Sequence, residues 1–302
     1  MNSTAVSRLF ILTSALIWGS SFIAQILGME FVGPITFISV RYIIGTASVL
    51  LMTMLLDYRK KHRDNLSQSN EDTVKEWLAA LPGGICCGFF LFSATCLQQS
   101  GLQQTPAGKA AFLTAMYIVI VPILELFMGK RIGLKTWAAI LTSSIGIYLL
   151  SISESFSVEY GDLLVLAATL FWALHIICSD KFSKKHDPLK LSACQFAFTA
   201  AASTAAMFIF ESPTIPGIIS TLPPAAYAGI MCTGVAYTLQ MSGQRHLSPV
   251  EVSLILSTES LFALAGGIFV LGESLTGREI LGCAILFAAV TAAQIPDKRG
   301  IA

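Results

Sequence analysis

The sequence predicts an all-α polytopic membrane protein in which ten transmembrane helices form two inverted five-helix repeats. Long apolar segments, an uneven distribution of basic residues and the recurrence of one pattern in both halves support this prediction. Of the 302 residues, 54% are hydrophobic and only 12% are charged, whereas about a quarter of the residues in soluble domains are charged. The composition therefore places nearly the whole chain within a bilayer.

Ten apolar segments are long enough to cross a membrane, which requires about 20 apolar residues. The first is too long for the apolar region of a signal peptide and lacks a cleavage site, so we interpret it as a retained span. The connection over residues 57–76 is charged and has no apolar face. The predicted spans are 9–28, 34–56, 78–98, 106–128, 135–152, 160–180, 188–210, 222–242, 249–271 and 277–295.

The basic residues predict the orientation, because short cytoplasmic loops retain Lys and Arg. If the N-terminus is cytoplasmic, most of the 19 basic residues fall in cytoplasmic segments. With ten spans, both ends of the chain are then predicted to be cytoplasmic.

An internal repeat covers most of the chain. Pro106 and Pro249 begin similar segments 143 positions apart, and Trp18 and Trp172 are related by a spacing of 154. We predict repeats over residues 1–155 and 156–302. Because each repeat has five spans, the copies enter the membrane in opposite directions. Secondary transporters often have such repeats, with the substrate near the midplane where the copies meet.

Several short motifs carry a resemblance to a known family. The sequence WGSSF at 18–22, the turn at 33–34 followed by Arg41, the segment 105–122 and LGESL at 271–275 resemble the EamA-type branch of the drug/metabolite transporter superfamily. The resemblance implies a ten-helix carrier in a bacterial inner (plasma) membrane that moves amino acids or other small metabolites, often outward. It also implies that the first, third, fourth, sixth, eighth and ninth spans surround a cavity.

Two positions depart from the family pattern. Lys130 and Arg131 occupy the place that Glu273 and Ser274 hold in the second repeat, and Ser260 stands where many relatives have proline. Since no proline interrupts the ninth span near its middle, we expect it to be one continuous membrane-length helix.

Glu259 is the strongest candidate for a functional residue. It lies near the middle of the ninth span, where insertion of a charged side chain costs about 3 kcal/mol. It therefore needs a partner, a proton or a ligand amine. Two interpretations remain open: Glu259 recognises a cationic or zwitterionic substrate or cycles a proton, or it is a buried carboxyl with a structural hydrogen bond.

Two tryptophans mark a second candidate feature. Trp18 and Trp172 lie near the middle of their spans rather than at headgroup level, where membrane tryptophans are common. Ser21 and Gln25 follow Trp18 on one helix face, and His175 follows Trp172. This shared pattern predicts a cavity wall in each repeat; hydrogen bonding between packed helices is the alternative. Weaker candidates for the cavity lining are Tyr117, Tyr237 and Gln240.

Other charged residues lie nearer the ends of their spans. Lys109 either extends to the lipid headgroups, as lysine commonly does, or faces an outer vestibule. We expect Arg41 to pair with a loop carboxylate or to cap a helix end. Glu125 and Glu251 lie near cytoplasmic bases such as Lys130, and we interpret them as structural.

The sequence predicts no cofactor, no metal site and no nucleic-acid partner. All seven cysteines lie within apolar segments, and there is no Walker A, H-E-x-x-H or G-x-S-x-G motif. The predicted partners are a small-molecule substrate and the lipid bilayer; no protein partner is required, and a monomer is compatible with the sequence. We predict a secondary transporter that works by alternating access. A membrane receptor that does not transport its ligand and, less favoured, an intramembrane enzyme are the alternatives.

Overall fold

The computed structural model describes residues 3–63, 70–151, 159–271 and 276–294. Throughout these ranges the regular structure is helical, without strands. The helices are α1 (Ser3–Met29), α2 (Pro34–Arg63), α3 (Asn70–Gly101), α4 (Ala107–Ala115), α5 (Tyr117–Phe127), α6 (Leu134–Ser151), α7 (Tyr160–Ser183), α8 (Pro188–Phe210), α9 (Ile215–Tyr227), a π-helical segment (Ala228–Ala236, the π segment), α10 (Tyr237–Gln244), α11 (Pro249–Leu256), α12 (Glu259–Leu271) and α13 (Gly277–Gln294).

These helices form the ten predicted spans. Seven helical segments in the described ranges are long and apolar enough to cross a membrane by themselves. The other three spans are the 18-residue helices α6 and α13 and the broken ninth span, made of α11 and α12. The fourth span consists of α4 and α5, and the eighth of α9, the π segment and α10.

The charged connection over residues 57–76 is more helical than predicted. Helix α2 continues to Arg63 and α3 begins at Asn70, because a helix satisfies its own backbone hydrogen bonds in water as well as in lipid. Lys190 at the start of α8 contacts the carboxylates of Glu76 and, at 3.8 Å, Asp57. This cluster joins the ends of the second, third and seventh spans.

Helix pairing follows the inverted repeat. Helix α3 packs against α7, as α1 packs against the eighth span; α1 packs against α12, as α7 packs against α4. The pairs α2 with α8 and α6 with α13 join equivalent spans of the two repeats. The two five-helix units are thus related by a pseudo-two-fold axis, and each packs against the other along most of its length.

Glu211, at the end of α8, links the repeats at one end of the bundle. Its carboxylate accepts hydrogen bonds from the backbone N–H groups of Ile35 and Thr36, each at 2.9 Å, and from the Thr36 hydroxyl at 2.6 Å. These N–H groups belong to the first turn of α2, where a helix leaves its donors unsatisfied and favours negative charge. A Cβ on Gly33 would come within 2.4 Å of this carboxylate, so glycine at that turn allows the cap.

The outer faces of the bundle are apolar. Leu51, Met54, Phe208 and Phe287 are all more than half exposed. Large apolar side chains at this density mark a surface that contacts lipid rather than water. The helix bundle is therefore a multi-pass membrane domain.

The ninth span is broken, so the prediction of a continuous helix is wrong. Helix α11 ends at Leu256, residues 257–258 form a turn, and α12 starts at Glu259. The hydroxyls of Ser257 and Thr258 donate to backbone carbonyls one turn earlier, at 2.7 and 2.6 Å. These bonds satisfy carbonyls near the break, so the break requires no proline.

The fourth span is broken at the equivalent depth. Met116 separates α4 from α5, and it lies 143 positions before Glu259, the spacing that relates the two spans. The Thr169 hydroxyl of α7 donates to the Leu113 carbonyl at 2.9 Å. Each repeat therefore contributes one interrupted helix to the centre of the bundle.

Candidate functional site: the central cavity

A cavity lies between the repeats, and its volume is about 620 Å³ when the space at its opening is included. Its walls come from the six spans that the resemblance implies and also from the second span. Of the predicted site residues, the cavity lining includes Trp18, Ser21, Gln25, Tyr117, Trp172, His175, Tyr237, Gln240 and Glu259.

Aromatic rings form one wall of the cavity. Tyr237 of α10 lies between the two repeat-related tryptophans, with its ring centre 4.6 Å from that of Trp18 and 6.3 Å from that of Trp172. The Trp18 indole N–H donates to the Cys232 carbonyl in the π segment at 3.1 Å. π-helical turns are rare in proteins, and those that occur are often found at functional sites. Here the segment gives the first span a backbone acceptor within the bilayer.

Glu259 lies where the two broken helices meet. It is the first residue of α12, and its Oε1 accepts a hydrogen bond at 3.1 Å from the hydroxyl of Tyr117, the first residue of α5. Glu259 is only 5% exposed. Among the ion pairs of the described residues none includes it. The carboxyl thus has a neutral protein partner and faces the cavity.

Arg41 also lines the cavity, so the prediction that it serves a loop or a helix end is wrong. It is 4% exposed, and its Nε donates to the Thr233 hydroxyl in the π segment at 3.0 Å. The guanidinium lies 5.3 Å from the ring centre of Tyr42. Helix α2 begins at Pro34, so Arg41 lies two helical turns inside it. The side chain points towards the centre of the bundle.

Neutral polar residues of α3, which were not predicted from the sequence, complete the lining. Gln98 accepts a hydrogen bond from the Trp172 indole N–H, and Gln99 lies beside Gln25 with an N–O separation of 3.5 Å to its carbonyl. The two adjacent glutamines near the end of the third span were the feature of the sequence that could have indicated a polar cavity wall. Thr114 Oγ1 and Gln240 Oε1 are buried without a hydrogen-bond partner among the described residues.

His175 is held by the protein. Its Nε2 lies 2.9 Å from Gln195 Oε1 of α8 and 3.4 Å from the Ser179 hydroxyl. The ring packs edge-on against Trp172 and Tyr237. This arrangement fixes the aromatic wall, with His175 as part of its support.

The structure places Lys109 outside the cavity lining. Its ammonium contacts the Asp162 carboxylate of α7 rather than extending to headgroups. The same carboxylate accepts from the Thr105 hydroxyl at 2.9 Å and from the Glu159 backbone N–H at 2.8 Å. Lys109 therefore joins the fourth and sixth spans at one end of the cavity.

Two other carboxylates pair with bases, as the sequence indicated. Glu125 contacts Lys130, and Glu251 forms a 2.8 Å ion pair with Arg8. In the described part of the chain, no cluster of three or more His, Cys, Asp or Glu side chains could hold a metal ion.

Two inverted five-helix repeats around a polar, aromatic cavity define a membrane transporter of the inverted-repeat class. The sequence profile of the EamA-like transporter family matches residues 6–152 and again residues 159–293. The chain belongs to this family.

Several proteins that are similar in sequence are named as transporters or exporters. An uncharacterized transporter of Archaeoglobus fulgidus is 28% identical over 91% of this chain and 82% of its own. The uncharacterized transporter YwfM of Bacillus subtilis is 26% identical over 93% and 91%. The threonine/homoserine exporter RhtA of Salmonella typhimurium is 29% identical over 43% and 44%. A crystal structure of a protein 17% identical in sequence has the same fold, with a TM-score of 0.73 over 95% of this chain and 96% of that one.

Proposed function

We propose that this protein is a secondary transporter that exports an amino acid or a related small metabolite by alternating access. It lies in a bacterial inner membrane, with both ends of the chain in the cytoplasm. The relative RhtA is a threonine/homoserine exporter by name, which supports an amino acid as the substrate. The observation that carries the mechanism is a pair of equivalent ion pairs, one towards each end of the cavity.

The first ion pair joins Arg8 of α1 to Glu251 of α11, and we name it the cytoplasmic pair. The second joins Lys109 of α4 to Asp162 of α7, and we name it the external pair. These names follow the proposed orientation. Each pair connects two spans that line the cavity, so each must separate when its end of the cavity opens.

The repeat relates the two pairs. Asp162 lies 154 positions after Arg8, and Glu251 lies 143 positions after residue 108, the neighbour of Lys109. Equivalent helices are therefore joined at opposite ends, with the positions of the positive and negative charges exchanged. Alternating access requires contacts of this kind, which form at one end while their counterparts separate at the other.

The two pairs differ in burial. The side chains of the cytoplasmic pair are 35% and 26% exposed, whereas those of Lys109 and Asp162 are 17% and 5% exposed. The external pair is also supported by Thr105 and by the N-terminus of α7. In this conformation the external end is thus the more firmly closed of the two.

Transport is tested with purified protein in proteoliposomes loaded with a mixture of the twenty common L-amino acids. Counterflow of labelled amino acids is expected to saturate with concentration and to depend on the protein. Saturable binding without net movement in either direction would contradict transport and support the receptor alternative. A comparison of exported metabolites in cells with and without the protein tests the direction.

Glu251→Gln is expected to have only a small effect on stability. Because both side chains of the cytoplasmic pair are partly exposed, we expect the free energy of unfolding to fall by less than about 1 kcal/mol. The rate of opening to the cytoplasm should rise. Counterflow detects this rise as a change in how the exchange rate depends on the substrate concentration inside the proteoliposomes. A strong loss of stability in Glu251→Gln would contradict this assignment.

A further inference from the structure

Arg41 and Glu259 are the only Arg and the only carboxylate among the described residues that line the cavity. They belong to different repeats, Arg41 to the second span and Glu259 to the ninth. Both are nearly fully buried. The cavity therefore presents one positive group and one acidic group within the bilayer.

The protein does not neutralise either group with an opposite charge in the described part of the chain. Each donates to or accepts from a hydroxyl, Arg41 with Thr233 at 3.0 Å and Glu259 with Tyr117 at 3.1 Å. The described ion pairs do not join Arg41 to Glu259 or either of them to another residue. A guanidinium stays protonated in proteins, and a buried charge is costly unless it is paired. An anionic group in the cavity would pair with Arg41.

The chemistry of the two side chains defines the ligand that fits both. A guanidinium presents a planar set of donors that matches a carboxylate, and a carboxylate accepts hydrogen bonds from an ammonium group. Trp18, Trp172 and Tyr237 provide the aromatic wall, which suits the remainder of a small molecule. The Gln240 oxygen, which has no hydrogen-bond partner among the described residues, offers one further acceptor.

We propose that Arg41 binds the carboxylate and Glu259 the ammonium group of a zwitterionic α-amino acid. This inference rests on the proposed function and adds the two residues that determine specificity. The transporter selects molecules that carry both charges, and it discriminates against a molecule that lacks either one. Arg41 and Glu259 each account for one of these two discriminations.

The test compares three forms of the amino acid that wild-type proteoliposomes transport from the mixture of twenty. The forms are the free amino acid, its N-acetyl derivative, which lacks the ammonium group, and the corresponding amine, which lacks the carboxylate. Competition against counterflow measures the apparent affinity of each. Wild-type protein is expected to bind the free form at least tenfold more tightly than either derivative.

The variants should separate the two discriminations. Arg41→Gln is expected to lower the preference over the amine about tenfold and to leave the preference over the N-acetyl derivative unchanged. Glu259→Gln should produce the reverse pattern. Arg41→Lys, which keeps the charge, serves as the matched control and should retain most of the preference over the amine. A purely structural role would lower all affinities together without this crossed pattern.

Each outcome decides between the proposals. If wild-type protein moves none of the twenty amino acids, the proposed function is wrong and this inference fails with it. If it moves one of them and both Gln variants keep the wild-type preferences, only this inference is wrong. If Arg41→Gln does not fold, Glu259→Gln decides: a preference over the N-acetyl derivative that falls about tenfold supports the inference, and an unchanged preference overturns it.

Discussion

Lys109→Glu is expected to reduce the rate of counterflow more than tenfold, because it places a second carboxylate against Asp162. Asp162 is 5% exposed and already accepts hydrogen bonds from Thr105 and from the backbone N–H of Glu159. Removal of one partner of a buried ion pair costs about 3 kcal/mol, and a like charge increases that cost. The initial rate and the thermal unfolding temperature measure the effect on transport and on stability.

The double variant with Lys109→Glu and Asp162→Lys restores opposite charges in exchanged positions. That polarity is the one found in the cytoplasmic pair, where the positive charge lies on the helix equivalent to α7. We expect the double variant to recover part of the lost rate, since energies of contacting residues couple, but not all of it, because a lysine at 162 cannot accept the hydrogen bonds from Thr105 and Glu159. If the double variant is as slow as Lys109→Glu alone, the charge pairing does not determine the closure of the external end.

Gly19→Ala is expected to lower the free energy of unfolding by about 2 kcal/mol, the usual cost of overpacking. A Cβ at this position would lie 2.5 Å from the Glu259 carbonyl oxygen, 2.6 Å from Phe262 Cβ and 2.8 Å from the Ala263 backbone nitrogen. None of these atoms moves unless α1 separates from α12. Because alanine favours a helix by about 1 kcal/mol over glycine, any loss of stability comes from packing.

The same variant should impair transport, since the displaced helix carries Glu259. Thermal unfolding in detergent and counterflow in proteoliposomes measure the two effects. Gly133→Ala is the matched control, because a Cβ there meets nothing within 4 Å. Equal unfolding temperatures for the two variants would show that the close approach of α1 and α12 tolerates a methyl group.

The number of spans was predictable because the bilayer imposes a length and an apolar composition on each of them. The centre of the bundle was less predictable. At the break at 257–258, hydroxyls donate to backbone carbonyls. Serine and threonine also make such bonds in helices that are not broken, so their presence did not predict the break. The length of α2 and α3 beyond the membrane was missed because charged residues form helices as readily as loops.

The repeat made part of the cavity lining predictable. Trp18 and Trp172 stood out because each repeat carries one, and Glu259 stood out because a carboxylate at the bilayer centre needs a reason. The role predicted for Arg41 rested only on its depth in the second span. The sequence did not show that its side chain points towards the centre of the bundle. Gln98 and Gln99 carry no charge and have no repeat partner that draws attention, so the sequence did not distinguish them from packing residues.

The interruptions of the fourth and ninth spans divide each span into two shorter helical rods that carry different polar residues. The short N-terminal rods, α4 with 9 residues and α11 with 8, carry Lys109 and Glu251. The C-terminal rods, α5 and α12, begin with Tyr117 and Glu259. In the proposed mechanism, each of these two ion pairs can separate by movement of its own N-terminal rod while the hydrogen bond between Tyr117 and Glu259 stays intact. That mechanism assigns binding of the substrate and access to the cavity to different parts of one span, once in each repeat.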